Sequence, residues 1–239
     1  MVRLLAPLLL CSLVVAAPAD LRPRYGNGWT GFKPGSALRM KVTREAPMRV
    51  PFVQIEETLL KKVTKLQLRL ERTTKNQLTD DKTVGWWVPL AGEAMDGEKE
   101  SRKRMENEKI QAAGRTWDCS VQQITVTGKT GRRVITEWTA RNPRLRIKRL
   151  EKWYGPDGKP TTSRSIMLSK PPQARTVGEK KVVCIGYRGL SKTGANEERS
   201  ETWHSRQVPG DLAGGKIEFF VKGKSVTTLH FKVLKFETK

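Results

Sequence analysis

Four runs in this chain alternate apolar with polar or charged side chains. In SALRMKV (36–42), Leu38, Met40 and Val42 alternate with Arg39 and Lys41. In KLQLRLE (65–71), Leu66, Leu68 and Leu70 alternate with Gln67, Arg69 and Glu71. RLRIK (144–148) and TLHFKV (228–233) repeat the pattern. Successive strand side chains point to opposite faces, so period two describes strands with one face on a core and the other in water. Antiparallel sheets accept that arrangement, whereas parallel sheets are covered on both sides.

Turn chemistry separates the runs. TGKTGRR (127–133), YGPDGKP (154–160), KTGAN (192–196) and VKGKS (221–225) supply the Gly, Asn and Asp that tight hairpins require. Within CSVQQITV the parity slips, with Cys119 and Val121 on one face and Ile124 and Val126 on the other; a β-bulge is the expected cause. The segment 91–113 is highly charged and sparsely apolar, and reads as a charged linker or a short helix. The expected fold is mainly antiparallel β, a large curved or half-closed sheet of about ten to twelve strands in repeated four-stranded units, with at most that one short helix.

Residues 1–19 have the three-part form of a secretory leader. Arg3 precedes an apolar stretch, and Ala17-Pro18-Ala19 forms a small-residue cleavage pattern. The apolar stretch is short for a membrane span, and Leu10 stands before Cys11 where a lipidation signal places a small residue. The expected location is periplasmic or extracellular, with no transmembrane segment in the mature chain. The formal charge is +22, of which the leader supplies only Arg3. Such a chain is drawn to anionic surfaces. For an exported protein these are lipids, acidic glycans and wall polymers, with no specific nucleic acid expected.

The two halves of the C-terminal region match in spacing. Trp138 follows Cys119 by 19 residues, and Trp203 follows Cys184 by the same interval. Each Trp is followed by Arg (Arg141, Arg206) and then Pro (Pro143, Pro209). These markers suggest one β unit used twice, at 114–178 and 179–239, after an N-terminal β unit at 20–90. The two mature cysteines leave two readings open, one disulfide or two separately buried thiols.

WTGFKPGSALRMKV (29–42), together with Cys184, Trp203, Ser205, Val208-Pro209-Gly210, Lys216-Ile217-Glu218, Thr227-Thr228, Val233 and Phe236, resembles a group of exported bacterial proteins of planctomycete type. The unit of Trp strand, Pro turn, basic strand, Gly hairpin and Thr-rich strand is similar to the lipoprotein-carrier superfamily of LolA and LolB. That resemblance implies a curved, incompletely closed antiparallel sheet with helices covering an apolar cavity. It transfers no functional residue.

No metal spacing, phosphate loop or nucleophile elbow is present, and no cofactor is expected. A catalytic His204 would need a nucleophile or an orienting carboxylate, and no motif identifies either; the two members of Glu56-Glu57, and of Glu197-Glu198, would point to opposite faces of a strand. Trp86 and Trp87 in GWWVPL are the ligand-binding candidates. Arg39, Lys41, Arg69, Arg146 and Lys148 are candidates for an anionic-surface contact if they share one sheet face. Trp138 and Trp203 read as core anchors beside turns. The expected function is a non-enzymatic, exported binding or envelope-associated protein holding a lipid or lipoprotein-like molecule. The alternative is a basic structural protein adhering to anionic envelope polymers, and a hydrolase comes third.

Overall fold

The computed structural model describes residues 28–47, 50–64, 67–76, 81–89 and 97–239. The leader, Leu66 and part of the segment 91–113 lie outside them. The described residues form fourteen strands and no helix. The first four are β1 (Ala37–Glu45), β2 (Phe52–Val63), β3 (Gln67–Asn76) and β4 (Lys82–Pro89). Next come β5 (Lys99–Arg104), β6 (Glu108–Ala112), β7 (Arg115–Gly128), β8 (Gly131–Ala140) and β9 (Leu145–Tyr154). The remainder are β10 (Pro160–Val177), β11 (Lys180–Thr193), β12 (Asn196–His204), β13 (Leu212–Val221) and β14 (Lys224–Glu237).

All fourteen belong to one sheet, in the order β4-β3-β2-β1-β14-β13-β12-β11-β10-β9-β8-β7-β5, with β6 also on β7. Every neighbouring pair is antiparallel. The sheet does not close on itself. Most connections are short hairpins, and the four turns with Gly, Asn and Asp fall between β7 and β8, β9 and β10, β11 and β12, and β13 and β14. The long-range exception is β1 with β14, which brings Leu38 opposite Phe236.

Two sequence expectations need correction. The described part of 91–113 is neither linker nor helix: β5 and β6 line the edge of β7. A sparsely apolar strand suits an edge, because only one side is paired and charge there discourages pairing with another chain. No bulge interrupts β7 against β8, whose ladder runs unbroken from Cys119–Ala140 to Gly128–Gly131. The parity slip instead marks a change in the covered face. Cys119 and Val121 join one cluster with Trp138 and Leu145, while Ile124 and Val126 join another with Ile135. A feature on which the sequence reading made no statement is that β10 runs for 18 residues through Pro171-Pro172. Two register shifts, between Leu168 and Lys170 and between Lys170 and Gln173, absorb the prolines that cannot donate to a ladder.

The largest core cluster joins Leu38, Leu60, Leu68, Leu70, Val233 and Phe236 to Val182 and Cys184, with Trp29 and Val208 from connecting segments. A second gathers Trp117, Cys119, Val121, Trp138, Leu145, Ile147 and Leu168. The cysteines are free, buried and in different clusters. The registers of the two Cys–Trp pairs agree: Trp138 stands opposite Val121, two residues after Cys119, and Trp203 opposite Gly186, two after Cys184. The turn prolines differ, Pro143 being exposed and Pro209 buried.

Glycine is required where β13 passes β12. Gly215 has φ of +145°, and a Cβ there would lie 2.7 Å from Thr202 Cα and closer still to the Glu201 carbonyl oxygen. Gly215→Ala is expected to lower stability by about 1–3 kcal/mol, read from urea unfolding. Cys119 and Cys184 should resist thiol reagents in the folded chain and react in urea, because burial comes first among the causes that raise both thiol pKa values. Rapid labelling of either under native conditions would contradict the packing described.

Candidate functional site

A sheet with no helical layer must cover its aromatic surface by other means. Here basic side chains do much of it. Basic groups lie over the rings of Trp87 (Arg69, 5.6 Å), Trp117 (Arg115, 3.4 Å), Trp138 (Lys148, 4.7 Å) and Trp203 (Arg175, 3.9 Å). Tyr154, Phe220 and Phe236 carry Arg132, Arg199 and Lys180 in the same way. Among the described residues seven rings are covered in this way. Part of the basicity is therefore structural: long stems cover rings while the charge stays wet.

The remaining basicity can be placed on faces by following directly opposed residues. Lys148 stands opposite Met167, Met167 opposite Arg188, Arg188 opposite Glu201, Glu201 opposite Lys216, Lys216 opposite His230, and His230 opposite Thr43. Thr43 shares its face with Lys41 and Arg39, so the whole row lies on one side of the sheet. Arg69 lies on that side too, since Arg39 faces Glu57 and Glu57 faces Thr73. Four of the five expected surface cations thus share a face. They do not form one platform: β9 is six strand steps from β1, roughly 29 Å along the sheet, and Lys148 is committed to Trp138. Arg146 is on the other face. A bulge opposite Trp138 and Thr139 separates it from Lys148, and its Nε lies 3.1 Å from Glu137 Oε1.

Of the two candidate tryptophans, Trp87 is 44% exposed and carries Arg69. Trp86 occupies the β4 position opposite Leu70, and its side chain is outside the described part. Trp138 and Trp203 are anchors held under cations. Trp138 also donates its indole N–H to Glu108 (2.9 Å).

The opposite face holds a buried ionic cluster. Arg149, 1% exposed, donates to Glu137 at 2.6 Å and also pairs with Glu151. Burial pushes the Glu137 carboxyl up, but Arg146 and Arg149 outweigh it and hold the pKa below the ordinary 4.5. Glu198 goes the other way, because burial raises it and Arg164 offsets only part of the rise.

Sequence reading also missed a partner of His204. Its Nε2 lies 2.9 Å from Thr202 Oγ1 and its Nδ1 3.5 Å from Asp211 Oδ2. The order hydroxyl, imidazole, carboxylate is that of a hydrolytic relay. The ring is 6% exposed and packs edge-on against Tyr187. This burial favours a clasp that ties the end of β12 to the 205–211 turn. Among the described residues, no group of three His, Cys, Asp or Glu side chains could hold a metal ion. A shallow recess of about 160 Å³ lies by the β11–β12 and β13–β14 turns, lined by Lys192, Asn196, Glu197, Arg199 and Phe220. It is smaller and more polar than pockets that bury a whole organic ligand, about 300–1,000 Å³.

No family model matches the sequence, and no curated protein matches it. Among solved structures, the chain is similar to a LolA superfamily protein from Nitrosomonas europaea, at 10% identity and a TM-score of 0.35, covering 90% of each chain. It is similar to a putative outer membrane lipoprotein-sorting protein domain from Vibrio parahaemolyticus, at 10% identity and a TM-score of 0.35, covering 86% of each. A DUF1329 family protein from Desulfovibrio piger follows at 9% identity and a TM-score of 0.33, covering 88% of each. Likenesses this slight carry no argument about ligand or activity.

Arg149→Ala leaves Glu137 and Glu151 without that guanidinium, and is expected to cost about 3–5 kcal/mol. A depressed carboxyl pKa gives stability that is complete above the unfolded value and is lost as pH falls through the folded one. The urea midpoint of the wild type should therefore fall below about pH 4.5. Glu137→Gln should flatten that fall, and an unchanged acid profile in this variant would remove Glu137 from the account.

Proposed function

We propose that the protein is an exported, non-enzymatic, envelope-associated protein that adheres to anionic polymers through the basic face of its open sheet. One observation carries this reading. Arg39, Lys41, Arg188 and Lys216 lie on one side of the sheet, interspersed with acids such as Glu201, and over the whole chain cations exceed acids by 46 to 24. Even with every acid paired, the surplus charge is positive. Attraction of this kind is long-ranged and screened by salt.

The carrier reading requires an enclosed apolar volume. Among the described residues, the recess by the β11–β12 and β13–β14 turns is small and only half apolar, and the apolar side chains of the two main clusters pack against one another. The geometry therefore favours adhesion. Export rests on the leader-like residues 1–19, which lie outside the described part.

The test is binding of the mature chain to soluble polyanions and to its own envelope fraction at 50 and 200 mM salt. Adhesion predicts at least a tenfold fall in affinity across that range. Salt-independent binding, with lipid extracted from the purified protein, would replace adhesion with the carrier reading.

A further inference from the structure

Within that adhesive face one block of charge has no ready structural explanation. Arg39 of β1 stands directly opposite Lys235 of β14, and Lys41 directly opposite Lys232. Like charges in directly opposed positions, with Cβ atoms about 4.5–5.5 Å apart, destabilise an antiparallel pair. Arg39, Lys232 and Lys235 are exposed and Lys41 is half-buried. Acids are close to only half of the block: Glu57 is opposite Arg39, and Glu237 Oε1 lies 2.8 Å from Lys235 Nζ. The lysine pair is different. The residue across from Lys41 on β2 is Ile55, and the residue across from Lys232 on β13 is Gly214. No acid stands directly opposite either lysine, and Gly214 keeps the sheet surface low beside Lys232. None of the four basic groups lies over an aromatic ring in the stacks described above.

We propose that Arg39, Lys41, Lys232 and Lys235 form a binding site for a linear polymer of phosphate groups lying along the β1–β14 seam. The inference rests on the adhesive reading and narrows it to one place and one chemistry. A tetrahedral oxyanion can accept from two cations at once, one on each strand, and so relieve the cross-strand repulsion. Cations two residues apart on a strand are about 7 Å apart, so a second anionic group further along an extended chain meets the next pair. Arg39, Lys232 and Lys235 are exposed, which suits a chain laid across the seam better than a compact ion sealed in a pocket.

Linear inorganic polyphosphate is the probe, titrated into the mature chain between 50 and 200 mM salt. Four contacts predict a slope of log affinity against log salt of about −2.8, at about 0.7 per contact. The variant Arg39→Gln/Lys41→Gln/Lys232→Gln/Lys235→Gln should lose at least tenfold in affinity and most of that slope. An equal-charge control, Lys103→Gln/Lys109→Gln/Arg141→Gln/Arg144→Gln, should keep both, because those exposed cations lie elsewhere. Urea midpoints show that both variants fold, and Lys41→Gln/Lys232→Gln replaces the quadruple variant if it does not. Equal losses in the two variants would overturn the site and leave general adhesion standing. Equal affinity for polyglutamate would overturn the phosphate assignment, and binding to phosphatidylglycerol vesicles but not to polyphosphate would overturn the polymer. Failure of the wild type to bind any polyanion in a salt-dependent way would remove the adhesive reading itself.

Discussion

The constraint on which the structure depends is that a single antiparallel layer must bury its own apolar surface. In most sheet proteins a second sheet or a helical layer supplies the opposing side. Among the described residues there is none. The apolar side chains meet because the sheet curves and because the long β10–β11 hairpin brings Val177, Val182 and Cys184 into the cluster of Leu38, Leu60 and Leu70. Glycine at 215 belongs to the same economy of space, since it lets β13 pass close to the backbone of β12. What curvature leaves open, the cations cover. The paired tryptophans show this most clearly, with Trp138 under Lys148 and Trp203 under Arg175.

That second device changes the meaning of the charge. A net charge of +22 invites a functional reading, yet some of the basic residues cover aromatic rings. Others hold acids on the opposite face, where Arg149 is nearly inaccessible between Glu137 and Glu151. Burying such a group is tolerable only when its partners are in place. Lys41 and Lys232 do neither in the contacts described, and where β1 meets β14 the fold accepts them as opposed like charges that a purely structural role gives no reason to keep.

Strand alternation and turn chemistry were legible in the sequence because both are local. Leu38, Met40 and Val42 announce a half-buried strand, and each Gly-bearing turn announces a hairpin. Less was legible where local chemistry and tertiary context disagree. The strand through Pro171-Pro172 depends on register shifts against β11, and the strands in 99–112 depend on the free edge of β7. The expected five-residue platform divided for a similar reason. One bulge in β9 sends Arg146 to the ionic cluster and Lys148 to Trp138, and a bulge is a property of the pair of strands.

By itself the sequence determined a mainly antiparallel β protein with hairpin connections and a surplus of positive charge, because side-chain period, turn residues and charge count are properties of neighbours along the chain. It also showed the equal spacing of Cys119–Trp138 and Cys184–Trp203. Only the tertiary structure decided which charges are spent on rings and acids and which are left to solvent. Lys232 and Lys235 are some 190 residues from Lys41 and Arg39, and Asp211 reaches His204 only through the turn after β12. Such contacts are set by strand pairing and register, which bring distant residues within a few ångströms and which no local pattern encodes.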